Sequence, residues 1–323
     1  MKIAIIGAGL TGLTAAAVLK EKGVSSITLF DKGKSPGGRL ATRRIGEGRA
    51  DHGAQFFTVR TEELKKEADQ WLEKGWIQKW FGDPYPRYAG AEGMNSLAKH
   101  LAEELDVKTN TRIVQIEEKE HGFELFAESG ESFQAEAILI TIPAPQAVDL
   151  LTASRIRAGH ELAGIRFNPC FVAMASLKKD LSIGSEGHLD SGLPEGLERI
   201  ACQSEKGISI EPIVSIYMTG EWSAEHFEKQ DEEITSIILD KVKEYVPMEN
   251  VNSVQLKRWR YAEAVQPYHR PFLDLRTEHP LLAAGDAFLR EDDPAGRTRF
   301  ESAFLSGMDA GEELYERAKT RDK

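Results

Sequence analysis

The sequence predicts an α/β protein of two lobes, and three observations lead there. Strand-like and helix-like runs alternate from the first residues, a glycine-rich turn separates the first strand from the first helix, and 323 residues are about twice a typical single domain. With 41% apolar and 29% charged residues the composition is that of an ordinary globular protein. A formal net charge of -11 argues against a nucleic-acid partner, because phosphate backbones are bound by surplus Lys and Arg. Cys170 and Cys202 are too few for a disulfide scaffold and lack metal or dithiol spacing, so both read as buried small side chains and no metal is expected. Lys2 before an apolar run resembles a secretion signal, but Gly7, Gly9, Thr11 and Gly12 interrupt that run and no small-residue cleavage site follows. Gly311 to Lys323 reads as charged helix, and no apolar segment of roughly 20 residues is present to span a bilayer, so a cytoplasmic, membrane-free protein is expected.

Lys2 to Ile6 is an unbroken β-favouring run, Leu10 to Lys22 is Ala-rich and helical, and Ser26 to Phe30 is a second strand, together one βαβ unit. Thr61 to Lys74 is an amphipathic helix with Thr61 as N-cap, Leu64, Ala68, Trp71 and Leu72 on one face, and Gly75 as its stop. Gly82 to Gly90, with Pro84 and Pro86, reads as a loop. Asn95 to Leu105 is helical again, carrying Leu97, Leu101 and Leu105. Thr111 to Ile116, Phe123 to Ala127 and Ala137 to Ile142 are strands separated by turn residues, and Pro143 and Pro145 end the last. From Phe167 to Ala264 longer strands (Cys170 to Leu177, Ile208 to Tyr217, Ser253 to Tyr261) and a helix from Asp231 to Tyr245 suggest the second lobe. Leu281 to Ala284 returns to a short buried strand, and Phe300 to Ala318 closes with a helix.

Gly7-Ala8-Gly9-Leu10-Thr11-Gly12 lies directly between strand and helix, the context that makes this glycine spacing informative. Gly7 permits the tight turn, Gly9 lets a pyrophosphate reach the backbone, and Gly12 lets the helix pack on the sheet. The helix N-terminus then faces the phosphates with free N–H groups, including those of Leu10 and Thr11. Asp31, 19 residues past Gly12, ends the second strand where a carboxylate can accept from ribose hydroxyls, with Lys32 beside it. These residues do not separate NAD from FAD. Ser35-Pro36-Gly37-Gly38-Arg39 does, since a Gly pair and an Arg can add donors to the same pyrophosphate from its far side. Arg39, Arg43, Arg44 and Arg49 form a basic island in an acidic chain, for which solvated surface is the competing reading at Arg44 and Arg49.

The glycine fingerprint, Gly37-Gly38-Arg39 and the closing segment resemble the flavin amine oxidase superfamily, and Asp51-His52-Gly53-Ala54-Gln55-Phe56-Phe57-Thr58 resembles its renalase-like branch. Gly93-Met94-Asn95-Ser96-Leu97 and Trp259-Arg260-Tyr261-Ala262 are similar to less specific segments of that branch, and the similarity covers most of the chain. The resemblance implies a Rossmann-type FAD-binding domain interrupted by a mixed β-sheet and helix substrate domain, the two-domain plan of amine oxidases and hydroxylases, with FAD extended between them. Its expected boundaries are residues 1-60, 95-165 and 275-323 for the FAD domain, and 61-94 and 166-274 for the substrate domain.

Leu281 to Ala287, ending a short strand in Gly285-Asp286, resembles the family's second flavin motif. By that resemblance Asp286 accepts from a ribityl hydroxyl or bonds near the pyrophosphate, Ile113 pairs its backbone with adenine, and Arg299, Phe300 and Ala303 stand at the flavin end. Reduction of a flavin leaves negative charge near its N1 and C2 oxygen, which the positive start of the last helix, through the Phe300 N–H, would stabilise. No Cys stands near Asp286 or the last helix, so FAD is expected to be non-covalent and released on denaturation.

No second glycine fingerprint and no CxxC follow Leu150, which disfavours a reductase drawing on bound NADPH and a dithiol and favours molecular oxygen over other acceptors, with hydrogen peroxide as the expected product. The renalase-like resemblance implies oxidation of dihydronicotinamide dinucleotides reduced at ring position 2 or 6, donors already activated, so a strong general base is not required. An amine or polyamine oxidase, or a nucleotide-binding regulator without redox chemistry, are the alternatives. His52 and Gln55 come nearest the ring by resemblance; His52 competes with a packing role, while the Gln55 amide can both donate and accept. Trp259 and Tyr261, two apart, share one face of a strand and form an aromatic wall or part of a core. Arg297, Arg299 and His269 are substrate-phosphate contacts or plain surface.

Overall fold

In the computed structural model, which describes residues 1–157, 159–293 and 295–321, the strand Lys2–Ile6 lies at the centre of a six-stranded sheet. It pairs in parallel with Ser26–Phe30 on one side and Ala137–Ile140 on the other. Asp106–Lys108 and Leu281–Ala283 extend the sheet in parallel, and only the edge strand Leu273–Asp274 runs against it. The first strand is apolar without alternation because both sheet faces are covered. Ile3 and Ile5 pack with Leu13, Leu19 and Leu314 on the helical face, while Ala4 and Ile6 pack with Ile116, Leu125 and Leu151 on the other. That second layer is a three-stranded antiparallel sheet, Ile113–Lys119, Gly122–Ala127 and Ser132–Ala135, with the helix Ala144–Ala153.

The other large sheet has five strands, every pair antiparallel, in the order His188–Leu189, Leu197–Cys202, Ile213–Met218, Arg166–Leu177 and Val251–Gln266. Helix Asp231–Val242 buries Ile234, Ile238 and Val242 against Phe171, Ala173 and Ile216 on one face. The opposite face carries Cys170, Val172, Tyr217 and Trp259 toward the first lobe.

Helix Glu62–Glu73 starts where its cap predicts, with the Thr61 hydroxyl accepting from Leu64 N–H, and it buries Leu64, Ala68 and Trp71. Three expectations are corrected. Gly82 to Gly90 is not all loop, because Arg87–Gly90 pairs with Ile77–Phe81 as a hairpin. The strand expected from Ile208 begins only at Ile213: the N–H groups of Ile208 and Ser209 both turn back to the Gln203 carbonyl, and Ile210 is left in solvent. Pro143 and Pro145 do more than end a strand, since they also open the helix Ala144–Ala153, where a fixed φ and a missing N–H cost nothing in the first turn. Of the charged segment from Gly311, Asp322 and Lys323 lie outside the described residues. No described helix is long and apolar enough to cross a membrane.

Helix Phe300–Arg321 lies along helix Leu10–Glu21, and two glycines allow it. A Cβ on Gly307 would stand 2.5 Å from the Thr11 carbonyl oxygen, and one on Gly311 3.0 Å from that of Ala15. The first and last helices therefore touch backbone to backbone, which places both of their N-termini at one end of the parallel sheet, beyond the carboxyl ends of its strands. Ligands of open α/β sheets bind at that edge.

Candidate active site

A cleft of about 1430 Å³ runs between the two sheets, larger than the roughly 300–1,000 Å³ of a drug-sized pocket. Its walls include Gly7, Gly9, Leu10 and Thr11 from the first turn, Asp31 and Lys32 after the second strand, Gly38 and Arg39, Ile113, Gly285 and Asp286, and Arg299, Phe300 and Ala303. His52, Gln55, Trp259 and Tyr261 line it as well. The structure thus brings nearly all of the predicted site residues to one groove, although the chain scatters them over some three hundred positions; Gly12 is not on its wall but packs behind it against the Gly7 carbonyl. The Thr11 hydroxyl even donates to the Ala303 carbonyl at 2.9 Å, joining the two helix starts directly.

The groove fits a dinucleotide. Gly9 has φ -77° and ψ 179°, an extended conformation open to any residue, and a Cβ there would meet nothing within 4 Å. Neither strain nor crowding by the protein accounts for a glycine at this position; the space in front of it does. Gly12 is the opposite case, since its Cβ would collide with the Gly7 carbonyl. Gly9 has no side-chain cap bond to the helix it starts, so the first N–H groups face the cleft. Gly37 bridges to Gly9 and donates to the Ala8 carbonyl at 2.7 Å, which sets the second glycine loop over the first. Asp31 accepts from the N–H of Ala8 at 2.9 Å and of Gly33 at 2.7 Å, and so also braces the turn.

Some expected roles change. Arg39 and Asp286, expected as separate cofactor contacts, form one bidentate pair at 2.8 and 2.6 Å, and Arg39 also donates to the Ala262 carbonyl at 3.0 Å. The pair clamps the Gly37-Gly38 loop, the last parallel strand and the second sheet together. Arg299 divides its guanidinium between Asp293, at 2.8 Å, and Glu301. Glu301 is fully buried and accepts from the N–H of Arg60 and Thr61, so it holds the approach to the Glu62–Glu73 helix. Phe300 begins the last helix, so its N–H has no partner one turn back, and its ring stacks on Phe57 with centroids 4.1 Å apart. His269 is exposed and does not line the cleft, whereas Arg297 does.

Gln55 is corrected most. Its amide donates to the Asp51 carbonyl and the Tyr217 hydroxyl, and accepts from Lys206 Nζ at 3.0 Å and Gln203 Nε2 at 3.2 Å. All four hydrogen-bonding positions of an amide are then used within the protein, which leaves none for a ligand. Behind it lies a feature the sequence did not announce. Lys206 and Asp51, both fully buried, form an ion pair at 2.6 Å, and burial holds the Lys206 ammonium below its usual pKa. The Asp51 carboxylate also accepts from Met94 N–H at 2.9 Å and from the Thr42 hydroxyl, while its carbonyl accepts from Ser215 and Tyr217. Asp51 opens the recognisable Asp-His-Gly-Ala-Gln segment, but Lys206 sits in an aperiodic turn that gives no sequence signal.

His52 is 7% exposed, stacks on Trp259 with centroids 5.6 Å apart, and has no partner for Nδ1 among the described residues. Burial first, then the nearby charges of Arg43 and Lys257, lower its pKa to about 4, so the ring is neutral at pH 7. A histidine held neutral in the native state binds its proton mainly when unfolded. Its contribution is complete above pH 6.5 and is lost as pH falls toward 4, about 3 kcal/mol in all. In urea titrations at pH 7 and pH 4.5, a His52→Gln variant should show a visibly flatter pH dependence than the parent; parallel curves would refute the shift. His188, also lowered to about 4 chiefly by burial, supplies a similar background slope in both proteins.

Comparison with known proteins adds to this geometry. The profile of the family described as flavin containing amine oxidoreductase matches residues 59–314, and that of the NAD(P)-binding Rossmann-like domain matches residues 5–71. The chain is 23% identical to mouse renalase over 322 residues, covering 89% of this chain and 93% of that protein. Hydroxyneurosporene desaturase of Rubrivivax gelatinosus is 36% identical over only 59 residues, 18% of this chain and 11% of its own. Among solved structures, a fatty acid isomerase from P. acnes has a TM-score of 0.71 at 12% identity, covering 97% of this chain and 98% of its own. Putrescine oxidase bound to putrescine has a TM-score of 0.67 at 14% identity, covering 98% and 99%.

Proposed function

The chain belongs to the flavin-containing amine oxidoreductases, as a renalase-like member that uses FAD, and from that premise we propose that it is an oxidase of dihydronicotinamide dinucleotides reduced at ring position 2 or 6. When bound, FAD would supply the hydride acceptor and the route for electrons to molecular oxygen, so that dihydronicotinamide, oxygen and one proton would give the oxidised nicotinamide and hydrogen peroxide. The chain's own part is position and field. Gly7 to Gly12 and Gly38 would hold the pyrophosphate, Asp31 and Lys32 the adenosine ribose, and Ile113 the adenine. Phe300 and the start of its helix would face the C2 carbonyl, where a positive helix end stabilises added charge. Trp259 and Tyr261 would wall the nicotinamide, with neutral His52 behind them. Gln55 acts one step back by fixing the backbone of Asp51 and the Tyr217 hydroxyl.

The observation that carries the reading is the charge of the cleft. Ten Lys and Arg against five Asp and Glu line it, in a chain whose net charge is -11. Amines are cations at neutral pH and are repelled by such a lining, whereas pyrophosphate-bearing substrates are drawn to it. A donor already activated also suits a cleft where His52 is neutral and Lys206 is sealed into an ion pair. Glu198 and Glu263, both on the cleft wall, are the features that favour an amine instead.

Anaerobic mixing decides between them. Borohydride-treated NAD, which contains the 2- and 6-dihydro isomers, should bleach the flavin absorbance within seconds. Faster bleaching by polyamines or monoamines would transfer the assignment to an amine oxidase. A protein that binds FAD and is bleached by neither would point to the regulator without redox chemistry.

A further inference from the structure

The basic groups of the cleft are not equivalent. Arg39 is matched by Asp286, Arg299 by Asp293 and Glu301, and Arg199 lies 3.9 Å from Glu198. Arg112 pairs with Glu128, and six others, Lys32, Lys34, Arg43, Lys257, Arg260 and Arg297, have no carboxylate partner among the described residues; of these, Lys32, Arg43 and Lys257 are the three whose charges act on one another. Arg43 donates only to the Gln255 amide oxygen, at 3.1 Å, and Lys32 only to that of Gln146, also at 3.1 Å. Lys257 Nζ lies 4.7 Å over the Trp259 ring without a hydrogen bond.

All three line the same cleft, and backbone register explains why. Lys257, Trp259 and Tyr261 alternate along one strand and share its cleft face, while the Thr42–Ile45 strand brings Arg43 to Gln255 on that same ribbon. Their charges are felt mutually: burial first, then Arg43 and Lys32, lowers the Lys257 pKa. The same Arg43 and Lys257 help to keep His52 neutral, with its buried Nδ1 unpartnered beside them. Like charges gathered without a counterion cost the protein stability unless an anion joins them. The cofactor's pyrophosphate already has the two glycine loops on the other wall.

We propose that Arg43 and Lys257 form a second phosphate site in the cleft, which takes the pyrophosphate of the nicotinamide substrate while Trp259 and Tyr261 receive its ring. This rests on the nicotinamide reading for the identity of the ligand, and on the unpaired cations for the site itself. A planar guanidinium on a braced strand suits paired phosphate oxygens, and the ammonium beside it acts as a point charge.

ADP-ribose carries the pyrophosphate without the nicotinamide, so its binding to oxidised holoenzyme tests the site apart from any redox step. Calorimetry should show binding that weakens with salt, and Arg43→Gln or Lys257→Gln should raise Kd roughly ten- to a hundredfold. Lys257→Arg should retain most of the affinity, and FAD content per chain should stay at the parental level in all three. ADP-ribose that fails to bind the parent, or binds the Gln variants equally well, overturns the site. Loss of FAD from the Gln variants would assign these cations to the cofactor and also overturn it, as would inorganic pyrophosphate binding with no dependence on either residue. If ADP-ribose binds through these residues while no dihydronicotinamide bleaches the flavin, the site stands and the oxidase reading falls.

Discussion

A Gly9→Val variant is expected to fold, to purify without yellow colour and to bind FAD at least about a hundredfold more weakly than the parent. Backbone conformation does not demand glycine here, because φ -77° and ψ 179° suit valine, and a Cβ meets no protein atom within 4 Å. What a branched side chain fills is the space before the free N–H groups of the first helix, the place a pyrophosphate needs. Stability should be compared between apo forms, since the parent gains extra melting temperature from its bound cofactor by mass action. Gly12→Ala is the control with the opposite signature: its methyl group collides with the Gly7 carbonyl, so it should damage folding as well as binding. A Gly9→Val protein that retained full FAD occupancy would remove the first turn from the cofactor site.

Replacing Lys206 by Met is expected to cost about 3–5 kcal/mol of stability, because it leaves the Asp51 carboxylate buried without its counter-charge. Thr42 and Met94 N–H still satisfy part of that carboxylate, and they lack the charge to compensate it. Asp51→Asn should be damaging for the mirror reason, stranding an ammonium that burial already disfavours. The double variant should lose far less than the two single losses added together, since no charge then remains buried. Urea denaturation of the four apo proteins measures all of this. Additive losses, or a Lys206→Met cost below about 1 kcal/mol, would mean that the pair is not the buried ion pair described.

The cofactor half of the molecule was legible because its rules are local. Gly7, Gly9 and Gly12 stand between a run buried on both faces and an Ala-rich helix; Gly7 needs its glycine for a positive φ and Gly12 for its contact with the Gly7 carbonyl, while Gly9 keeps open the space before the helix. Thr61 announces its helix in the same way. The second sheet was harder. The alternation from Ile208 looked like a strand, yet two N–H groups closing on the Gln203 carbonyl turn that stretch back, and Lys206 gains its importance only from Asp51, 155 positions away. Gln55 was found by its segment and misread in its role, since nothing in the sequence shows that four partners would converge on one amide. Arg43 was noticed as one of a basic group, and only the tertiary structure separates it from Arg49, which pairs with Glu92. Long-range partners decide such residues, and one chain read alone does not display them.

The bond from Thr11 to the Ala303 carbonyl spans 292 positions. During synthesis the opening strand and turn leave the ribosome first and must wait for nearly all of the remaining polypeptide before their partner helix exists. A nascent chain therefore has no finished groove to offer until that last helix has emerged and docked on the first, so the cofactor site is completed late in folding rather than with the turn that opens it.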